Sequence, residues 1–245
     1  MGGWHAFPGG VIAPSDREIR VKGLPSGLEA SPEAAGLPEA VLEGLDNLGP
    51  ILAEGLLAGA LRELFEETGL MVSEDLEAQR PGAFAVTLPR LHAARRRLLA
   101  DETSFQDLLK ELDLELDATA LVYAGRWLTP PLGTVRFDNR FFLLEWPQDR
   151  SVQPAVNIEE AVGGEWVTPQ AALESWREGE AITAPPILHI LMVLGQGESS
   201  FDLPRLQNPI EANLGPFRKI EVRPGVLLFP LATPTLPPAQ YTNTY

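Results

Sequence analysis

Arg62-Glu63-Leu64-Phe65-Glu66-Glu67-Thr68-Gly69-Leu70 sets three glutamates on one helical turn. Successive residues of an α-helix are about 100° apart, so positions i, i+3 and i+4 share a face. Glu63, Glu66 and Glu67 therefore point the same way. Leu57, Leu61 and Leu64, at i, i+4 and i+7, form an adjoining apolar stripe suited to burial. Carboxylates this close repel one another, so such a turn calls for a cation. Hard oxygen ligands favour Mg2+, Mn2+ or Ca2+ over zinc or copper. Standing alone, the same run reads equally well as a solvated acidic face.

The flanking residues favour the cation site. Arg62 precedes the first glutamate, Gly69 can stop the helix, and Glu54 lies eight residues before Arg62. Together these positions resemble E-x7-R-E-U-x-E-E-x-G-U (U a bulky apolar residue), the second half of the box that marks Nudix hydrolases. The glycine expected six residues before the leading acid is missing, because Leu48 stands there. An apt glycine occurs far upstream, in Phe7-Pro8-Gly9-Gly10, which resembles the Nudix PGG turn and is followed after five residues by Asp16. The box therefore reads as opened by an insertion over 17–49, a run rich in Gly, Pro, Ala and Glu that is expected as an exposed loop. Asp16 and Glu54 stand as the two alternatives for the leading acid. An insertion at this point resembles a subgroup related to mammalian peroxisomal coenzyme A diphosphatases.

The resemblance implies an α/β/α sandwich with a mixed sheet and a hydrolase that splits a nucleoside diphosphate derivative by water attack at phosphorus. Mg2+ or Mn2+ is the implied cofactor, with Glu63 and Glu67 as first-choice ligands and Glu66 as a further ligand or the general base. Arg62 is expected to hold a neighbouring glutamate by a charge-assisted hydrogen bond. A ligand from elsewhere in the fold is expected at Glu159 or Glu160, with Glu160 the choice made. Gly9 and Gly10 are expected at the substrate. Arg136 and Arg140, two strand periods apart and so on one face, are candidates for substrate phosphate. His5, His92 and His189 form no constellation.

Later segments resemble the same subgroup. Arg126-Trp127-Leu128-Thr129-Pro130 followed by Arg136-Phe137-Asp138-Asn139-Arg140-Phe141-Phe142 is similar to its W-x-TP…RFDTRFF stretch, with Asn139 in place of Thr. Ile158-Glu159-Glu160 through Trp166-Val167-Thr168-Pro169 and Ala172-Leu173 is similar to a segment that closes many Nudix sheets. Periodicity predicts strands at Ala83–Leu88, Leu121–Trp127, Arg136–Trp146 and Glu165–Val167, with Phe141-Phe142-Leu143-Leu144 as a buried central strand. Helices are predicted at Leu91–Ala100, Phe105–Leu112, Pro169–Arg177 and Ile187–Leu194. Arg95-Arg96-Arg97 is read as a solvated helix face.

Residues 1–195 are thus expected to form the Nudix domain, and 196–245 a linker and C-terminal extension. Few strands are expected before the catalytic helix, since the PGG turn lies almost at residue 1. Ser199–Pro216 reads as linker and Pro224–Phe229 as a strand. The ending Pro234-Thr235-Leu236-Pro237-Pro238-Ala239-Gln240-Tyr241-Thr242-Asn243-Thr244-Tyr245 resembles the opening hairpin of metallo-β-lactamase-fold hydrolases, without their HxHxDH metal motif.

Composition narrows the function classes. A formal charge of −15 argues against nucleic acid as a partner, while bound metal can reverse the local sign for an anionic nucleotide. With no cysteine, disulfides, thiolate catalysis and Cys-bound zinc are excluded. No apolar run approaches the ~20 residues of a membrane span, and no secretory signal precedes the PGG turn, so a cytoplasmic protein is expected. Arginine outnumbers lysine 16 to 3, a usage found in GC-rich bacterial genomes. A homodimer is one of the assemblies left open. The alternative to an active diphosphatase is a Nudix-fold binding or interaction module without turnover, derived from a Nudix–metallo-hydrolase fusion.

Overall fold

The computed structural model describes residues 4–23, 25, 50–73, 84–128, 137–145, 154–156, 163–196, 220–223, 226–232 and 241–244. In chain order these form strand β1 (Trp4–His5), a 3-10 turn at Pro14–Glu18, strand β2 (Val21–Lys22), and helices α1 (Pro50–Thr68), α2 (Phe84–Leu99) and α3 (Phe105–Leu112). Strands β3 (Leu116–Asp117), β4 (Leu121–Leu128) and β5 (Asp138–Leu144) follow. Then come helix α4 (Pro169–Glu178), strand β6 (Ile182–Thr183) and helix α5 (Pro185–Gln196), and lastly β7 (Ile220–Arg223), β8 (Val226–Ala232) and β9 (Tyr241–Thr244).

Strands β4 and β5 form an antiparallel pair in which Leu121 faces Leu144 and Arg126 faces Arg140. A register shift between Tyr123 and Gly125 bends β4, and Gly125 takes a φ of 111°, open to glycine. Alternation then sends the two faces of β5 to different helices. Phe142 and Leu144 pack into a core built by α1, α2 and α3 with Leu116 and Leu121. Phe141 and Leu143 pack instead toward α4 and α5, through Leu173, Trp176, Ile190 and Val193. A sheet lies between two helical layers, so the α/β/α reading holds. Parallel pairs β1–β6 and β2–β3 beside antiparallel β4–β5 make the strand pairing mixed.

Helix α1 runs from Pro50, a residue that tolerates a first turn, to Thr68. Gly69 ends it with a φ of 77° while its N–H donates to the Phe65 carbonyl at 2.8 Å. Ser104 caps α3 by accepting from the Asp107 N–H at 3.1 Å, and left-handed Asp113 closes it, as the pattern over Phe105–Leu112 predicts.

Several expectations are corrected. Phe84–Leu88 are helical, part of an α2 that runs through Pro89, and no strand forms there. A six-residue apolar run has no period long enough to separate strand from helix. Glu165, Trp166 and Val167 form no strand, and Trp166 is 64% exposed. Phe141–Leu144 are half-buried, because among the described residues β5 pairs only with β4. The stretch expected as an exposed loop, 17–49, opens inside the folded body: Ile19 is in the core and β2 pairs with β3. Residues 24 and 26–49 lie outside the described residues, as does the expected linker at 199–216. Val226–Phe229 of the predicted strand lie in β8, flanked antiparallel by β7 and β9.

Candidate active site

Arg62 is the hub of the site. Its Nε donates to Asp16 Oδ1 at 2.9 Å and its Nη2 to Asp16 Oδ2 at 3.1 Å, a two-pronged pairing of groups 46 residues apart. Nη1 donates to Glu66 Oε2 at 2.9 Å, and Nη2 also lies 2.8 Å from Glu63 Oε1 and 3.0 Å from the Val11 carbonyl. Asp16 is 0% exposed and accepts a further hydrogen bond from the Ala13 N–H at 2.8 Å. Burial by itself disfavours the charged guanidinium. The Asp16 hydrogen bonds and charge, with the charges of Glu66 and Glu63, outweigh it and raise the Arg62 pKa above its ordinary value.

Of the two candidates for the leading acid, Asp16 is the one that meets Arg62. Glu54 sits on α1 nine residues before Glu63, about 13 Å along the axis at 1.5 Å per residue. Its recorded partner is Arg20, at 3.6 Å on the surface.

Glycines let the PGG segment and the 3-10 turn close on α1. A Cβ at Gly10 would overlap the Glu63 carboxylate. On the helix side, a Cβ at Gly59 would come within 3.1 Å of Asp16 Oδ2, and one at Gly55 within 3.1 Å of the Arg17 side chain. Gly9 is exposed, with open space where a side chain would stand. The two halves of the split box, far apart in sequence, thus meet across Gly10–Glu63 and Asp16–Arg62.

Among the described residues no three Asp, Glu or His side chains form a ready-made metal cage. The local charge nevertheless fits a divalent ion. Arg62 pairs with Asp16 and also orients Glu63 and Glu66, so three carboxylates gather on one guanidinium. Glu63 and Glu66 have side chains only 14% and 17% exposed. With Glu67 one turn from Glu63, this is an all-oxygen donor set that suits Mg2+ or Mn2+.

The remaining candidates divide. Arg140 has a side chain 6% exposed; Nη1 contacts Asp138 Oδ2 at 3.1 Å, while Nη2 is buried and has no hydrogen-bond partner among the described residues. It precedes Phe141, whose ring meets Phe7 of the PGG segment edge-on at 6.4 Å. Arg136, Glu159 and Glu160 lie outside the described residues. Upstream of the two glutamates, Ala155 is held at the end of α1, where its N–H donates to the Thr68 carbonyl at 2.7 Å. Downstream of them, a Cβ on Gly164 would come within 2.5 Å of Val156. The histidines stay apart: His5 and His92 are exposed, and His189 lies against Trp127 with ring centroids 5.7 Å apart.

One residue escaped the sequence reading. Arg95, expected on a solvated face, is buried, and its Nε and Nη2 both donate to the Glu66 carbonyl at 3.0 and 2.8 Å. Arg96 is exposed and Arg97 pairs with Glu111 at 2.8 Å, so the expectation holds for those two. The signal was present: Leu91, Ala94, Arg95 and Leu98 lie at i, i+3, i+4 and i+7, and all four are buried.

Comparison with known proteins agrees with this geometry. The family described as the NUDT19 Nudix domain matches residues 1–194, ending before β7–β9. The acyl-coenzyme A diphosphatase NUDT19 of Homo sapiens is 32% identical over 223 residues, covering 83% of this chain and 59% of the human protein. The chain thus spans under two thirds of that relative's length. A crystal structure of a Nudix hydrolase from Alicyclobacillus acidocaldarius superposes with a TM-score of 0.59 at 24% identity, over 83% of this chain and 80% of that one, and so shares the fold. With the split box reassembled around Arg62 and a family match over most of its length, the chain belongs to the Nudix hydrolases, in the NUDT19 Nudix domain family.

Proposed function

We propose that this protein is a divalent-metal-dependent hydrolase that cleaves the diphosphate linkage of a nucleoside diphosphate derivative by water attack at phosphorus. The observation that carries it is the Arg62 hub, which ties Asp16 from one half of the box to Glu63 and Glu66 from the other. Such an assembly orients acidic groups for a cation and has no evident purpose in a bare scaffold. Glu63 and Glu67 hold Mg2+ or Mn2+, with Glu160 as a further ligand. Glu66, its carboxylate steadied by Arg62, is a further ligand or accepts the proton of the attacking water. When bound, the metal neutralises charge on the phosphoryl oxygens and acidifies water.

Arg140 offers its unsatisfied Nη2 to a substrate phosphate, with Arg136 as a second candidate and the Gly9-Gly10 backbone lining the approach. A coenzyme A-type compound is the favoured substrate, supported by the human relative's name; ADP-ribose and related nucleotides are the alternatives. Residues 1–195 form the hydrolase domain in this reading, and 196–245 an extension. The charge of −15 supports a small-molecule partner over nucleic acid. No described helix is long and apolar enough to cross a membrane.

Incubation with Mg2+ or Mn2+ and a panel of diphosphate compounds tests the proposal, with products identified by mass. Hydrolysis abolished by Glu67→Gln is the expected result. No turnover of any compound, with the variant indistinguishable from the native chain, would leave a Nudix-fold binding module as the better reading.

A further inference from the structure

We infer that Arg95 is a positioning residue for the carboxylate turn, holding the last turn of α1 in the conformation that orients Glu63, Glu66 and Glu67. A helix leaves its final four carbonyls without intrahelical partners, so its last turn frays unless something outside holds it. Here the partners come from separate parts of the chain. The Phe65 carbonyl accepts from Gly69 N–H, that of Glu66 accepts both Arg95 donors, and that of Thr68 accepts from Ala155 N–H. Of these three donors to the helix-end carbonyls, Arg95 is the one that binds a residue carrying one of the acidic side chains.

The contact is built into the core rather than laid on the surface. Arg95 projects from the buried stripe of α2, between Ala94 and Leu98, and is 9% exposed. Gly69 makes room for it, since a Cβ there would stand 3.3 Å from Arg95 Nη1. A guanidinium at a helix C-terminus also opposes the negative end of the helix dipole, where three glutamates add further negative charge. A lysine could supply the charge but not two parallel donors to one carbonyl.

This role rests on the metal-binding reading above, and two measurements separate the two. The first uses the metal-free full chain and follows amide hydrogen exchange across residues 62–70. Arg95→Met is expected to raise exchange in that segment about tenfold, Arg95→Lys less, and Arg97→Met not at all. The second follows Mn2+ affinity by calorimetry, where loss of a group supporting a metal ligand weakens binding by roughly 10–100-fold. Arg95→Met should fall in that range, with Arg95→Lys intermediate and Arg97→Met unchanged. Unchanged exchange in 62–70 for both Arg95 variants overturns the positioning role whatever the metal does, as does undiminished Mn2+ affinity in both. A native chain that binds no Mn2+, yet shows the exchange effect, counts against the metal-dependent reading and leaves the hold of Arg95 on the helix end intact. Should Arg95→Met fail to fold, Arg95→Lys decides both measurements.

Discussion

Arg62 has four partners, and what each contributes depends on its distance from water. Asp16 is fully buried, so removing its carboxylate strands a mostly buried guanidinium with half of its hydrogen bonds unmet. Breaking a buried pair in this way costs about 3–5 kcal/mol, whereas a surface pair like Arg20–Glu54 is worth roughly 0–1 kcal/mol. Asp16→Ala should therefore lower the unfolding free energy by about 3 kcal/mol or more, and Glu54→Gln by well under 1 kcal/mol. Urea denaturation of both variants checks this; equal losses would mean that Asp16 is not the box's leading acid. Arg140 poses the opposite case, a buried donor left without an acceptor among the described residues. A hydrogen bond to a charged group is worth about 2 kcal/mol, or roughly thirtyfold in affinity. Arg140→Gln should raise KM for a diphosphate substrate by about that factor, with kcat less affected. An unchanged KM would remove Arg140 from the phosphate contacts.

At the scale of elements, the approach of the 3-10 turn to α1 reverses an ordinary expectation. Replacing an interior helical glycine by alanine should stabilise by about 1 kcal/mol through propensity. At Gly59 the new Cβ meets Asp16 Oδ2 at 3.1 Å, and that oxygen is pinned by Ala13 and Arg62. It cannot retreat without loosening the Arg62 pair, so Gly59→Ala should be net destabilising by about 1 kcal/mol, within the usual cost of overpacking. A raised melting midpoint for Gly59→Ala would show that the turn can yield. The same element marks what the sequence discloses and what it does not. Helix α3 was legible over Phe105–Leu112 because its apolar residues keep a helical period between Ser104 and Asp113. Strands β4 and β5 were legible because aromatic and aliphatic residues cluster in runs of strand length. Phe84–Leu88 misled, being too short to show a period, and so did Glu165–Val167, whose exposed Trp166 packs no sheet. The three glutamates are visible as a local pattern, whereas the meeting of Asp16 with Arg62 is a contact across 46 residues that spacing alone does not disclose.

For the whole molecule, the decisive property is an acidic chain that, on the proposed function, has to attract an anionic substrate. A formal charge of −15 makes the folded state repel itself and repel phosphates, and the carboxylates gathered at the Arg62 hub concentrate that cost at the site. A divalent ion there relieves a repulsion that is strong only when the folded helix gathers the carboxylates on one face, so it should bind the folded chain in preference to the unfolded one. Mass action then predicts stabilisation of about 2.7 kcal/mol at a hundredfold excess over the dissociation constant. For a domain of this size each kcal/mol raises the melting midpoint by roughly 2–4 °C, giving an expected rise of about 5–10 °C with Mg2+ or Mn2+ that EDTA reverses. Monovalent salt also relieves self-repulsion, so the comparison has to be made in NaCl of matched ionic strength. Site binding predicts an increment beyond that control, lost in Glu63→Gln and Glu67→Gln and retained in Glu54→Gln. General screening predicts equal shifts from both salts and indifference to all three substitutions, an outcome that would remove the cation from the carboxylate turn.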